Sequence, residues 1–171
     1  GDEGDGFVEA AAAMRDRVAG GGKLLMFGNG GSATDATDWA LDCVDSPKGY
    51  PSIPAVSLVA DPATITAIAN DVGQEVVFVR QIIAHAQPHD VVIAVSTSGS
   101  SSNVVAALEE ARRRRLLTIA LTGYDGGEVA RRGLADFSMA VRSDQIPRIQ
   151  EVHASIYHVM IDLIAAGAPV P

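Results

Sequence analysis

Short apolar runs alternate with longer segments of helical spacing along the whole chain, and this alternation constrains the fold more than any other feature. The runs KLLMF at 23–27, VVIAVS at 91–96 and LLTIAL at 116–121 are mostly apolar, as expected for strands that are covered on both faces. Segments with helical periodicity separate them. Such alternation is typical of α/β folds, in which helices cover a parallel sheet.

The predicted elements follow one another without an internal repeat or a linker-like stretch. Helices are predicted at 7–18, 32–44, 74–86, 103–114 and 147–165, and strands at 23–27, 55–59, 91–96, 116–121 and 136–141. A chain of 171 residues suits one domain of this kind and is short for two. We therefore expect a single domain over residues 1–171, built on a doubly wound five-stranded parallel sheet flanked by helices.

Charge and composition argue against several classes of partner. The chain has 21 acidic and 13 basic residues and a net charge of −8, the wrong sign for binding nucleic acid or an anionic membrane. No apolar run approaches the ~20 residues of a membrane-spanning helix. The single cysteine, Cys43, has no internal disulfide partner, and the acidic start GDEGDGF is unlike a signal peptide. These features predict a cytoplasmic protein that binds neither nucleic acid nor membranes.

The glycine loop, Gly28 to Ala33 (GNGGSA), lies between a predicted strand and a predicted helix, where open α/β sheets bind their ligands. Its glycines permit a tight turn that exposes backbone N–H groups at a helix N-terminus, which suits an anion. Two alternatives remain. The pattern also fits the G-x-G-x-x-A dinucleotide fingerprint, although the acidic residue Asp61 follows about 30 residues later instead of the usual ~20. Alternatively, the glycines only let the helix pack close to the sheet.

The serine loop, Ser96 to Asn103 (STSGSSSN), carries five serines and one threonine before another predicted helix. Hydroxyl groups, exposed amides and the helix dipole can together hold a phosphate without lysine or arginine. The chain has no GK[ST] sequence of the kind that binds nucleoside triphosphates, so we expect no nucleotide cofactor. The alternative is a serine-rich turn that only caps the helix.

Five blocks cover nearly the whole chain in order: GNGGSATDA, ITAIAND, AVSTSGSSSNV, ALTGYDGGE and RIQEVHASIYH. Together they resemble the sugar isomerase (SIS) domain of the bacterial phosphoheptose isomerase family. The resemblance implies a five-stranded parallel sheet between helices and a homotetramer. It also implies isomerisation of sedoheptulose 7-phosphate to D-glycero-D-manno-heptose 7-phosphate with a divalent metal, often zinc.

The resemblance further implies roles for individual residues. Those expected to bind the sugar phosphate are Asn29, Gly30, Gly31, Ser32, Asp71, Ser96, Thr97, Ser98, Ser101 and Gln150. In the last predicted helix, Gln150 matches a metal-binding glutamine, and His158 matches a histidine that acts as metal ligand and as acid or base. Eight residues separate these two, about 12 Å along a helix. They would therefore have to reach towards each other to share one metal, or belong to the sites of different subunits.

The implied chemistry explains these residue types. Isomerisation of a ketose to an aldose moves a proton between adjacent carbons through an enediol, which requires a base, an acid and an electrophile. Histidine changes charge near neutral pH, so His158 suits the proton transfer. A metal or the amide of Asn29 would polarise the carbonyl. The structural alternative for His158 is an interior or interface histidine.

The chain departs from the family where the metal and the base are expected. Asp38 and Asp42 replace a histidine and a glutamate, and their i, i+4 spacing places both on one helical face. Asp38, Asp42, Gln150 and His158 would form a carboxylate-rich metal site, which suits Mg²⁺ or Mn²⁺ more than zinc. Asp42 would serve as the catalytic base with a side chain one methylene shorter than in the family.

Two further departures concern charge and assembly. Ser46 replaces an arginine of the family, which leaves Lys48 to supply the positive charge. Only about 22 residues precede the first predicted strand, where the family has a longer helical arm. We therefore expect a homo-oligomer whose assembly differs in detail.

Two other functions compete with the isomerase. The replication-initiator-associating proteins of bacteria resemble the same family, share its phosphate-loop region and the ALTGYDGGE stretch, and act by protein contact. A phosphosugar sensor, or an isomerase of different specificity, is the third interpretation. Gln150 and His158 favour the enzyme, whereas Asp38 and Asp42 indicate a site that has changed.

Overall fold

Five parallel strands form one sheet in the order β2-β1-β3-β4-β5 in the computed structural model, which describes residues 3–167. The strands are β1 Leu24–Gly28, β2 Ala55–Ser57, β3 Val91–Ser96, β4 Leu117–Gly123 and β5 Phe137–Val141. The helices are α1 Glu3–Ala19, α2 Gly31–Val44, α3 Pro62–Asp71, α4 Val77–His85, α5 Ser102–Arg113, α6 Gly127–Arg131 and α7 Ile146–Ala166. A single 3-10 turn, Gln74–Val76, precedes α4.

Alternate residues of the strands enter two separate cores, as the geometry of a strand requires. Leu24 and Met26 of β1 pack beneath α1, α2 and α7, whereas Leu25 and Phe27 pack beneath α4 and α5. The three central strands are buried along their whole length. Burial on both faces explains why these strands read as apolar runs.

The strand order reverses direction between β1 and β3, the topological switch point at which open α/β sheets bind their ligands. In the sheet register, Gly28 at the end of β1 lies opposite Val95 of β3. The glycine loop and the serine loop therefore leave adjacent strands at the same edge of the sheet.

The predicted elements are found within a few residues, and two helices were missed. Helix α3 has no fully buried residue, although Ile65, Ile68 and Ala69 pack against the second core; its N-cap Asp61 accepts a hydrogen bond from the Ala63 N–H. Helix α6 has five residues, too few for a periodic signal. Strand β2 is shorter than predicted because the chain turns after Ser57, whose carbonyl accepts a bond from the Ala60 N–H. No helix within residues 3–167 has the length and apolar character needed to cross a membrane.

Candidate active site

The two loops at the switch point are joined by a pair of asparagines. The Asn29 amide donates from Nδ2 to Oδ1 of Asn103 at 2.9 Å, and the Asn103 amide donates back to Oδ1 of Asn29 at 3.0 Å. Asn103 is buried. The expected role of Asn29 towards a sugar is thus combined with a structural role, since half of its hydrogen-bonding capacity is already used.

The serine loop retains hydroxyl groups that are available to a ligand. Ser96 is buried, and its Oγ accepts a bond from the Gly99 N–H at 3.1 Å. Ser98 Oγ accepts a bond from a backbone N–H two residues later. Within the described part of the chain, the hydroxyls of Thr97 and Ser101 make no hydrogen bond, and Ser101 begins α5 without using its side chain as a cap. Free hydroxyls at a helix N-terminus fit the predicted phosphate site.

The glycines of the ALTGYDGGE block pack closely against the backbone of the serine loop. A Cβ atom on Gly127 would lie 2.2 Å from the carbonyl oxygen of Ser98. The Gly123 N–H donates to the Thr97 carbonyl at 2.9 Å, and a Cβ on Gly123 would lie 2.6 Å from that oxygen. Only glycine permits backbone contact this close, so the glycines of this block let it pack directly against the serine loop.

The glycine loop offers fewer free N–H groups than its spacing suggests. The Ser32 N–H donates to the Asn29 carbonyl at 3.0 Å, and the Ala33 N–H donates to the Gly30 carbonyl at 3.0 Å. Gly31 is covered by Gln150 of α7, whose Nε2 would lie 2.1 Å from a Cβ at that position. The serine loop is therefore the better candidate for an anion site. Gln150 lies against the glycine loop, and its role in sugar binding stays a prediction.

His158 and Asp42 meet across the two neighbouring helices α7 and α2. His158 Nε2 lies 3.4 Å from Oδ2 of Asp42, and their side chains are 54% and 22% exposed. An imidazole beside a carboxylate, both accessible to solvent, is an arrangement that can exchange protons with a bound substrate. The structure thus brings together the two residues that were predicted to be catalytic.

Lys48 occupies a place close to this pair. Its Nζ lies 2.6 Å from the carboxylate of Asp162, which follows His158 by one helical turn. The hydrogen bond from Lys48 is the main cause that lowers the pKa of Asp162. The positive charge expected from Lys48 is therefore already partnered by a carboxylate.

Gln150 and His158 occupy different places along α7. Gln150 lies against Gly31 at the start of α2. His158 lies beside Asp42, which follows Gly31 by eleven residues along α2. The two helices therefore run side by side away from the loops. Gln150 and His158 are about 12 Å apart along the axis of α7. They therefore do not meet at one ligand position within a single chain.

The predicted metal ligands are not gathered in a single chain. Among residues 3–167, no three histidine, cysteine, aspartate or glutamate side chains are grouped so that they could hold a metal ion. Asp42 and His158 form a pair, but Asp38 does not complete a triad with them, and Gln150 lies at the glycine loop. The residues of one chain therefore do not fit a complete metal site.

Comparison with known proteins decides the family. The model of the SIS domain family matches residues 2–123. The phosphoheptose isomerase of Geobacter sulfurreducens is 46% identical over 155 residues, which cover 90% of this chain and 81% of that protein. The chain belongs to the phosphoheptose isomerase family of SIS domains. The predicted family, and with it the isomerase class of enzyme, is confirmed.

Solved structures agree with this SIS domain over most of its length. The phosphoheptose isomerase of Francisella tularensis superposes with a TM-score of 0.89 at 35% identity, covering 95% of this chain and 86% of that one. The phosphoheptose isomerase GmhA of Neisseria gonorrhoeae gives a TM-score of 0.88 at 38% identity, with the same coverage. The predicted five-stranded fold is confirmed.

Asp71 is the sugar-binding candidate of this SIS domain that lies apart from the others. It is exposed at the end of α3, and its Oδ1 accepts a hydrogen bond from its neighbour Asn70 at 2.8 Å. None of its hydrogen bonds among residues 3–167 reaches the two loops. Its role in binding stays a prediction.

Two aromatic residues near the His158–Asp42 pair, Tyr157 and Trp39, were given no role by the sequence analysis. The Tyr157 ring lies 4.3 Å from the His158 ring and 5.8 Å from the Trp39 ring, measured between centroids. Elsewhere on α7, His153 is fully buried, and its Nε2 lies 2.8 Å from the Thr122 carbonyl. Burial lowers the pKa of His153. The one sequence signal for the contact between the Tyr157 and His158 rings is that an aromatic residue directly precedes His158.

Proposed function

We propose that this chain interconverts a ketose phosphate and an aldose phosphate, and that its substrate is sedoheptulose 7-phosphate, converted to D-glycero-D-manno-heptose 7-phosphate. Identity of 46% to a protein named phosphoheptose isomerase supports the choice of a seven-carbon sugar. The observation that carries the mechanism is the 3.4 Å approach of His158 Nε2 to Asp42 Oδ2.

The proton transfers are assigned to this pair. The Asp42 carboxylate removes the proton from C1 of the ketose, while His158 donates a proton to the carbonyl oxygen at C2, which gives the enediol. The enediol then loses the proton on the C1 oxygen to His158 and receives the first proton at C2 from Asp42. The product is the aldose, and no proton or electron is gained or lost overall.

The phosphate is held by the serine loop, through the hydroxyls of Thr97, Ser98 and Ser101 and the N-terminus of α5. Among residues 3–167 the hydroxyls of Thr97 and Ser101 make no other hydrogen bond, and that of Ser98 accepts one and is free to donate. A phosphate at this place anchors the far end of the sugar. Anchoring a remote group lowers the entropy cost of reaction at C1 and C2.

We infer that two copies of the chain contribute to each site. In one chain the loops and the Asp42–His158 pair are separated by two helical turns and more, about 12 Å or longer. Leu41, Val44 and Val159 are large apolar side chains on α2 and α7 next to the pair, and they are 60%, 48% and 50% exposed. Exposed apolar groups beside a half-exposed His158 suit a contact with another copy. The resemblance predicts a homotetramer.

A divalent metal, zinc or the harder Mg²⁺ or Mn²⁺, stays a prediction of the resemblance. Since the residues of one chain do not assemble its ligand set, no step above depends on it.

The deciding experiment incubates the purified protein with sedoheptulose 7-phosphate in D₂O, with and without added divalent metals, and follows the reaction by NMR. We expect aldose signals and deuterium at C2 of the product, because the base exchanges its proton with solvent. His158→Asn should abolish this exchange. If the substrate binds by calorimetry and no carbon-bound proton exchanges under any metal condition, the non-catalytic binding function is correct instead.

A further inference from the structure

We propose that Tyr157 is a positioning residue for His158, and that its ring sets the orientation of the imidazole at the site. This rests on the proposed function, in which His158 transfers protons. The inference concerns a contact between neighbouring residues on α7 that the catalytic assignment of His158 does not itself require.

Three rings form a continuous stack that begins in the core and ends at the surface. Trp39 of α2 is fully buried, Tyr157 is 6% exposed, and the His158 side chain is 54% exposed. The Tyr157 ring is stacked on Trp39 with an interplanar angle of 19°, and it is tilted by 46° to the imidazole. The spacings of 5.8 and 4.3 Å are those of aromatic pairs in contact. Tyr157 thus connects His158 to the buried Trp39.

A half-exposed imidazole on a helix surface would otherwise exchange between rotamers on the picosecond to nanosecond timescale. Asp42 contacts only Nε2, at 3.4 Å, and one contact to a ring nitrogen leaves the ring free to turn about that point. The Tyr157 ring limits this rotation of the imidazole. Because proton transfer tolerates little displacement, and a 1 Å error can cost ~100-fold in rate, the contact matters for turnover.

The ring of Tyr157, not its hydroxyl, carries this role. The contacts that the structure shows are made by the ring, which is stacked on Trp39 and tilted against the imidazole of His158. Phenylalanine at this position would preserve the contact with His158.

The experiment compares Tyr157→Leu with Tyr157→Phe, and uses Ile164→Ala as a matched control. Ile164 is a buried residue of the same helix, 4% exposed, two turns from His158. For each variant we would measure kcat, KM, the thermal unfolding midpoint and the imidazole ring-proton chemical shifts. The chain has four histidines, so the His158 signals can be assigned by their loss in His158→Asn.

We expect Tyr157→Leu to lower kcat by roughly 10- to 100-fold with little change in KM, and to shift the His158 ring signals because the ring current of Tyr157 is lost. Tyr157→Phe should retain kcat and the shifts, and Ile164→Ala should lower the unfolding midpoint without either effect. The proposal is overturned if folded Tyr157→Leu keeps its kcat, or if Tyr157→Phe is as damaging as Tyr157→Leu. Turnover that survives His158→Asn would instead contradict the proposed function, and the NMR shifts would still test the ring contact.

Discussion

Asn29 and Asn103 are 74 positions apart in the chain, and each donates a side-chain N–H to the amide oxygen of the other, at 2.9 and 3.0 Å. The pair closes the switch point between β1 and β3, because Asn29 lies in the glycine loop and Asn103 in the first turn of α5. The glycine loop and the serine loop are thereby fixed relative to each other.

We expect Asn103→Ala to destabilise the fold by about 1–3 kcal/mol, because it leaves the partner amide without its two bonds. Urea unfolding of the two single variants and of Asn29→Ala/Asn103→Ala measures the coupling, expected at about 0.5–3 kcal/mol. The same variants should weaken the binding of a sugar phosphate. Additive losses of stability would show that the amide pair is not an energetic unit.

Thr97→Val and Ser98→Ala should each weaken the binding of a sugar phosphate by about 1–3 kcal/mol, since a ligand oxygen loses a hydroxyl partner. Isothermal titration calorimetry measures the effect. Ser138→Ala, on the exposed edge of β5, is the control that removes a hydroxyl elsewhere. Unchanged affinity in the folded double variant would place the phosphate outside the serine loop.

Mixing two inactive variants should restore activity if copies share their sites. One variant carries Thr97→Val and Ser98→Ala, and the other carries His158→Asn. After co-refolding, a fraction of sites would combine an intact loop with an intact His158. Native mass spectrometry verifies that hybrid oligomers form, and light scattering gives their size. Hybrids without any recovered turnover, or a fully active monomer, would mean that each site lies within one chain.

The resemblance predicts a divalent metal at Asp38 and Asp42, although the described residues of one chain do not gather a complete ligand set. If a second copy completes the set, Asp38→Asn should lower the affinity for the metal more than it lowers stability, because a cation near two carboxylates on one helical face relieves their repulsion. Titration with Mn²⁺ and Zn²⁺, together with thermal unfolding, separates the two effects. Protein purified without chelators that contains no metal, and whose activity resists EDTA, would leave Asp42 and His158 to act alone.

Stability should fall between pH 7 and pH 5, and His153 should contribute to the fall. Burial lowers its pKa in the folded state, so below about pH 6.5 the unfolded chain binds a proton that the folded chain refuses. The contribution of His153 is therefore complete above that pH and is lost as the pH falls. His153→Gln cannot titrate and can still donate to the Thr122 carbonyl. It should reduce the difference between the free energies of unfolding that urea titrations give at pH 7 and at pH 5.

The sequence by itself determined the class of fold and the two loops that are candidates for ligand binding. Strands buried on both faces must be apolar along their length, so β1, β3 and β4 were visible as runs. The glycine and serine loops were visible because backbone freedom and clustered hydroxyls are local properties of a few adjacent residues. Helix α3 was not predicted, although Ile65, Ile68 and Ala69 have helical spacing and pack against the second core without being fully buried.

Which residues meet was decided by the tertiary structure alone. The pairing of Asn29 with Asn103, the approach of Asp42 to His158 and the stack through Tyr157 all join distant segments. The asparagine pair depends on β1 and β3 being neighbours in the sheet. The other two contacts depend on how α2 and α7 pack over the sheet, and that packing follows from the shapes of many side chains at once. Periodicity shows which face of a helix is apolar, but it does not show how far one helix is displaced along its neighbour. That displacement places Gln150 at the glycine loop and His158 about 12 Å away beside Asp42.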